Sequence, residues 1–233
     1  GAPFTTSTLQ QEANSKLGFG SRATMASAQK LYQAGKITYM RTDSTVLSKQ
    51  ALAATANYIT GAFGKEYSQV RQFKTKSASA QEAHEAIRPT DFKRPHLADL
   101  EKDQQSLYEL IWKRAVASQM AEAKIEKTKI TLATPDLAEQ FATEGEVVLF
   151  DGFLKLYIEG NDEEDTDRND ENSASSGRLP MLRQGESTPS ERMVATQRYS
   201  RPPSRFTEAS LVKKLEELGI GRPSTYAPTI STV

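Results

Sequence analysis

Apolar residues recur at helical spacing through the first third of the chain and at a spacing of two further on, so the pattern predicts helices first and strands later. In SRATMASAQKLYQAG, Met25, Ala28 and Tyr32 share one helical face. Ser21 is the expected N-cap, Gly35 suits the left-handed position after the last turn, and the helix should end near Ala34. In LSKQALAATANYITGAFG, Ser48 can cap a second helix that stops before Gly61 or Gly64, and Leu107, Leu110, Ile111 and Ala115 mark a longer helix. From about residue 122 the period changes. Ile130 and Leu132 alternate with polar neighbours, EVVLFDGFLKLYIEG reads as a second β run, and RMVATQRYS continues that character. Pro202 and Pro203 break it before FTEASLVKKLEELG, where Thr207 is the expected cap, Leu211, Leu215 and Leu218 form a stripe, and Gly219 ends the helix. GRPST then leads into a further helix near Thr225, and because that helix meets Val233 without a stop signal, the natural protein is expected to continue.

Composition narrows the class. The chain has 233 residues, 37% hydrophobic and 26% charged, which allows one large or two modest domains. No apolar run reaches the roughly 18 residues of a membrane span, and no basic start followed by an apolar stretch suggests a signal peptide. With no cysteine, disulfides and thiolate zinc sites are excluded. Thirty basic residues balance thirty acidic ones, but unevenly: residues 1 to 120 carry a net +6, residues 121 to 200 a net −8, and the remainder +2. Seven acids fall within residues 160 to 177, a stretch polar enough to read as a solvated loop, and no acidic cluster has metal-ligand spacing.

The candidate chemistry lies in GKITYMRTDST, residues 35 to 45. A strand-like path there places Ile37, Tyr39, Arg41 and Asp43 on one side. A phenol with an ordinary pKa near 10 needs a cation or base beside it to act as a nucleophile, and an always-charged guanidinium also matches phosphate oxygens. The residues alone equally allow Tyr39 to pack in a core while Arg41 pairs with Asp43. His84 and Arg88, four apart, would share a helix face, while Arg222 and Thr225 at the start of a helix would suit an anion. His96 has no motif around it.

GKITYMRTDST resembles the active-site segment of bacterial type IA DNA topoisomerases. Three further stretches are similar to the same family in the same order: PFTTSTLQQEANSKLGF, EAHEAIRPTD at residues 82 to 91, and RFTEASLVKKLEELGIGRPSTYAPTIS. The resemblance spans nearly the whole chain and is weakest at residues 122 to 200, where the acidic loop looks like an insertion. It implies that Tyr39 is the nucleophile and Arg41 its phosphate-side partner. Thr38, Asp43, Gln29 and Tyr32 then belong to the pocket, and His84, Arg88, Arg222 and Thr225 contact DNA. Gln33 stands where many members have glutamate.

The resemblance further implies attack on single-stranded DNA, a 5′-phosphotyrosine intermediate, strand passage and resealing, which relaxes negative supercoils. Conserved bond energy makes a nucleotide cofactor unnecessary, and no GxxxxGK[ST] loop is present. Mg2+ would be held in the complete enzyme by a Toprim domain that does not precede Gly1, so this piece is expected to hold no metal and to be inactive alone in relaxation. The expected partners are single-stranded and negatively supercoiled DNA, for a cytoplasmic, nucleoid-associated monomer that does not enter a membrane. Two other readings stay open: a non-catalytic DNA-binding or scaffold module, and a tyrosine recombinase or type IB-like enzyme. The expected fold class is α+β, with a helical tyrosine-bearing domain at 1–121, a β-rich arch or hinge at 122–200, and the start of a helical DNA-binding domain at 201–233.

Overall fold

Local capping sets the first helix. In α1 (Thr6–Leu17), the Thr5 and Thr8 side chains satisfy each other's backbone amides in a capping box, and Gly18 closes the end at φ 68°. These observations come from a computed structural model that describes residues 1–74, 85–134, 138, 140–157, 183–189, 194–195, 197, 199–200 and 202–232. His84, the acidic stretch 160–177 and parts of RMVATQRYS lie outside the described residues. The chain divides into two units, one of Gly1–Ala123, Asp151–Glu163 and Phe206–Val233, the other of Lys124–Phe150 and Glu164–Arg205.

The first unit is built on helices. It contains α1, α2 (Ser21–Gln33), α3 (Lys49–Phe63), α4 (Lys102–Ala117), α5 (Glu208–Glu217) and the short α6 (Tyr226–Ile230), with 3-10 turns at Lys65–Tyr67 and Gly152–Lys155. Ser48 caps α3 as expected by accepting from the Ala51 amide; Gly61 is accommodated within that helix, and Gly64 follows its last residue. In α4, Leu107, Leu110, Ile111 and Ala115 all face inward. They join Phe4, Leu9, Leu31, Ile59 and Ile87 in one core, where the Trp112 indole donates to the Phe92 carbonyl at 2.9 Å. Burying side chains of this size contributes about 1.5–3 kcal/mol each, which makes this core the main source of stability.

Two helix expectations change. Ser21 is the first residue of α2 and not its cap; Gly20 occupies the cap position with no side chain, and the Ser21 amide donates to the Glu208 carboxylate at 2.7 Å. Glu208 thereby does from 187 residues away what a local Ser or Asp does elsewhere. In α5, Thr207 caps as expected, but Ala209 and Val212 form the buried face while Leu218 is left exposed. The helix is turned so that Glu216 accepts from the Ser7 hydroxyl at 2.7 Å and Glu208 reaches α2. Two charge-assisted bonds outweigh the burial of one terminal leucine.

The second unit contains an antiparallel hairpin, β1 (Lys124–Ala133) and β2 (Gln140–Phe150). One face carries cross-strand ion pairs, Lys127 with Glu146 at 2.9 Å and Lys129 with Glu144 at 3.6 Å; the other carries Leu132 opposite Phe141, with Val147 on the same side. The β run expected through EVVLFDGFLKLYIEG stops at Phe150, because Gly152 at φ 50° turns the chain into a 3-10 segment. The described residues of RMVATQRYS are not in a strand.

Candidate active site

The segment after α2 is irregular, bending at Lys36, Thr38 and Met40, and is clamped from both sides. Gly35 takes φ 68°, as its position predicts, and releases the chain from the helix. Ile37 bridges to Pro89, and the Thr38 amide donates to the Arg88 carbonyl at 2.9 Å. The Thr38 hydroxyl donates to the Ala86 carbonyl at 2.7 Å and accepts from the Arg88 amide at 3.0 Å, so Thr38 anchors the segment through its side chain. Across from this, buried Thr6 at the start of α1 holds the next residues. Its hydroxyl donates to the Met40 carbonyl at 2.7 Å and accepts from the Thr42 amide at 2.8 Å, and its own amide donates to the Thr42 carbonyl.

This clamp decides which side chains face out. Met40, Thr42 and Ser44 are buried, so Tyr39, Arg41 and Asp43 alternate away from the core, with Tyr39 41% exposed. Ile37 does not join them. It is buried, because the path is set by the bridge to Pro89 and not by uniform strand alternation from Gly35 onward. Tyr32, at the end of α2, sets its ring edge-on to Tyr39, with centroids 5.2 Å apart and planes at 66°. Gln29 is half-buried one turn earlier on α2, and Gln33 is exposed. Tyr32 is itself exposed, so of the expected apolar face only Ala28 is fully covered.

Arg41 is exposed and makes no hydrogen bond or ion pair among the described residues, and no ion pair joins it to Asp43. Its charge is open to a ligand. Arg88 differs, because it lies in an extended segment, so the helix face it was expected to share with His84 is not formed there. Its guanidinium grips the Glu85 carboxylate at 2.7 and 2.9 Å and donates to the Pro89 carbonyl. Burial works to raise the Glu85 carboxyl, but hydrogen bonds from Arg88 and the Ser48 amide outweigh it and hold the group below the ordinary carboxylate value. Glu85 and Arg88 therefore tie the start of α3 to the segment bridged beside Thr38.

At the far end, Thr225 is spent on a local turn: its hydroxyl accepts from the Arg222 amide at 2.8 Å and donates to the Arg222 carbonyl. Arg222 is exposed, its guanidinium donating to the Gly221 carbonyl. With five residues, α6 gives little dipole to hold an anion, so Arg222 is the stronger anion candidate of the two. Sequence reasoning missed Tyr226, which is buried on α6 with its phenol pushed up by desolvation and by the Glu216 and Asp43 charges, against Arg222. It also missed Thr6, Glu85 and Glu208. Only Glu85 gave a sequence signal, the three-residue spacing to Arg88.

Among the described residues no three His, Cys, Asp or Glu side chains gather to hold a metal ion. Among them, too, no helix is long and apolar enough to cross a membrane.

A family model described as DNA topoisomerase matches residues 1–233, which defines the class. The chain is 50% identical over 233 residues to DNA topoisomerase 1 of Zymomonas mobilis, covering 99% of this chain and 19% of that protein. It is 48% identical to the DNA topoisomerase 1 of a Synechocystis strain, covering 99% of this chain and 26% of that one. The structure of full-length topoisomerase I from Thermotoga maritima matches with a TM-score of 0.77 at 38% identity, covering 99% of this chain and 37% of that chain. The chain belongs to the bacterial type IA DNA topoisomerases, with mixed helices and a small antiparallel sheet, and it spans about a fifth to a quarter of the curated relatives it matches.

Proposed function

We propose that this chain carries the strand-cleaving segment of a type IA DNA topoisomerase and that Tyr39 is its nucleophile. The observation that carries this reading is the clamped segment that leaves both Tyr39 and Arg41 exposed, Arg41 without an ion pair among the described residues. The Tyr39 oxygen attacks a phosphodiester of single-stranded DNA, the phosphorus–oxygen bond to the 3′ oxygen breaks, and the 5′ phosphate remains on the tyrosine. The freed 3′ hydroxyl later attacks the phosphotyrosine, and the original bond returns with no net energy input. Arg41 supplies positive charge to the phosphate as charge builds up on its oxygens. Gln29 and Tyr32 border the site from α2, Asp43 lies on the outward side, and Thr38 contributes by fixing the backbone. Arg222 extends the DNA contact; Arg88 supports it by holding the neighbouring segment through Glu85. His84 and Thr225 stay as proposed DNA contacts from the family resemblance.

In the parent enzyme, cleavage, passage of another strand and resealing relax negative supercoils, with Mg2+ supplied by residues outside this chain. The isolated chain is inactive in relaxation. The β hairpin belongs to the arch that lets the broken ends separate. The protein works in the bacterial cytoplasm, as a monomer, on single-stranded and negatively supercoiled DNA. The test is to incubate the parent enzyme with end-labelled single-stranded DNA, denature rapidly and map the adduct. A 5′ phosphotyrosine at Tyr39 is expected; a 3′ linkage would move the protein to the recombinase and type IB class, and reversible binding without adduct to a non-catalytic module.

A further inference from the structure

Between Ala13 and Lys65 the chain carries seven lysines and arginines and a single acid, Asp43, and α2 carries no acid at all. Within this stretch, Tyr32 presents a ring that is 41% exposed and meets the Tyr39 ring only edge-on, which leaves its flat faces without an aromatic neighbour among the described residues. Lys36 is half-buried, and its ammonium makes no hydrogen bond or ion pair among the described residues. Its backbone is pinned on both sides, the amide donating to the Leu31 carbonyl at 2.9 Å and the carbonyl accepting from the Thr90 amide at 3.0 Å, so the side chain starts from a fixed point three residues before Tyr39. The acids on the adjoining segments are occupied elsewhere. Glu101 pairs with Lys30 at 2.8 Å, Glu208 accepts from the Ser21 amide at 2.7 Å, Asp91 accepts from the Lys93 amide at 2.9 Å, and no ion pair joins Asp91 or Asp43 to Lys36 among the described residues. Gln33, next to Tyr32, is exposed and uncharged, so it adds no repulsion toward an anion.

An open ring face followed by an unpaired ammonium takes a single nucleic-acid strand, because a base stacks on the ring and a phosphate meets the cation. The cleavage chemistry gives that strand a direction. Once the 3′ oxygen has left, the 5′ phosphate and every nucleotide on its 3′ side hang from Tyr39, so the unit that carries Tyr39 has to hold them while the ends are apart. Given Tyr39 as the nucleophile, on which this assignment rests, we propose that Tyr32 stacks the first base of the tyrosine-linked strand and that Lys36 contacts one of its next phosphates. The end of α2 and the turn after it then serve the strand downstream of the cut, whereas Arg41 serves the phosphate that reacts.

The test uses the parent enzyme in a Tyr39→Phe background, which keeps the ring and prevents cleavage, and follows by fluorescence anisotropy its binding of two labelled oligonucleotides that share the mapped cleavage site. One stops at the nucleotide that would carry the freed 3′ hydroxyl, and the other runs about six nucleotides further. Tyr32→Ala is expected to weaken binding of the longer oligonucleotide about fivefold or more, and Tyr32→Phe to leave it unchanged. Lys36→Gln should weaken it about threefold at about 50 mM salt and lower the slope of log Kd against log salt by about 0.7, whereas Lys36→Arg keeps the slope. On the shorter oligonucleotide all four variants should bind as the background does, and melting followed by circular dichroism establishes that they are folded. Unchanged binding of the longer oligonucleotide in both Tyr32→Ala and Lys36→Gln would overturn the proposal, and so would an equal loss on both oligonucleotides, which places the contacts upstream of the cut. With wild-type enzyme, a 5′ adduct at Tyr39 alongside either of those results rejects the strand assignment alone, while no adduct removes the nucleophile and the assignment with it.

Discussion

Thr6→Val removes one hydroxyl, keeps the side-chain shape, and tests whether the Tyr39 segment is held as described. In the wild type that hydroxyl donates to the Met40 carbonyl and accepts from the Thr42 amide, both on residues at most 3% exposed. Valine orphans both backbone groups, whereas the bond from the residue 6 amide to the Thr42 carbonyl survives. An unsatisfied buried donor or acceptor costs ~1–3 kcal/mol, and part of that is recovered by small shifts, so the expected loss is about 2–4 kcal/mol. That is a large share of an ordinary folding stability of about 5–15 kcal/mol. The sole tryptophan, Trp112, is buried in this unit and reports its unfolding by fluorescence in urea. Thr6→Ser, which keeps the hydroxyl, should stay within about 1 kcal/mol of wild type and separates hydrogen bonding from shape. Thr6→Val within about 0.5 kcal/mol of wild type would refute the clamp.

Three other substitutions test the framework. Glu208→Ala strips the cap from α2 and should destabilise the protein by about 1 kcal/mol and speed hydrogen exchange of the Ser21 amide, measured by NMR or mass spectrometry; unchanged exchange contradicts the cap. Because the Glu85 carboxyl is held below its ordinary value of 4.5, its contribution is present above that pH and is lost as pH falls from there through the depressed value. Glu85→Gln should therefore lower the urea midpoint at pH 7 and flatten its fall below about pH 4.5; a parallel acid profile counts against the Arg88 pairing. At Gly152, with φ 50°, a β-carbon would sit 2.5 Å from the Ala121 carbonyl oxygen, so Gly152→Ala should cost about 2–4 kcal/mol by the same urea assay, and a cost under about 0.5 kcal/mol would show that this crossing yields easily.

What could be read from sequence was what is decided locally. Ser48, Thr207 and Gly35 act within one turn of their helices, and all three do what their position suggests. The exposure of Tyr39 and Arg41 matches the alternation expected from sequence, although the segment bends at Thr38 and Met40 and its path is held by Thr6. The inward turn of Ile37 was not legible, because it depends on Pro89, 52 positions away in sequence. Glu208 on Ser21, Glu216 on Ser7 and Thr6 on Met40 and Thr42 are likewise long-range pairings between residues that look unremarkable alone. The leucine stripe of α5 misled because side-chain type indicated the buried face while two carboxylates set the helix's rotation. In the β region the character was right for β1 and β2 but its extent was not, since one positive-φ glycine ended what continuous apolar residues suggested would go on.

The central claim is that Tyr39 forms the covalent bond to DNA, and the most direct measurement compares the parent enzyme with its Tyr39→Phe variant on end-labelled single-stranded DNA under rapid denaturation. The account predicts a protein–DNA adduct through the 5′ phosphate in the wild type, none in the variant, and reversible DNA binding retained by both. An adduct that persists in Tyr39→Phe, or one mapped by mass spectrometry to another residue, would contradict it.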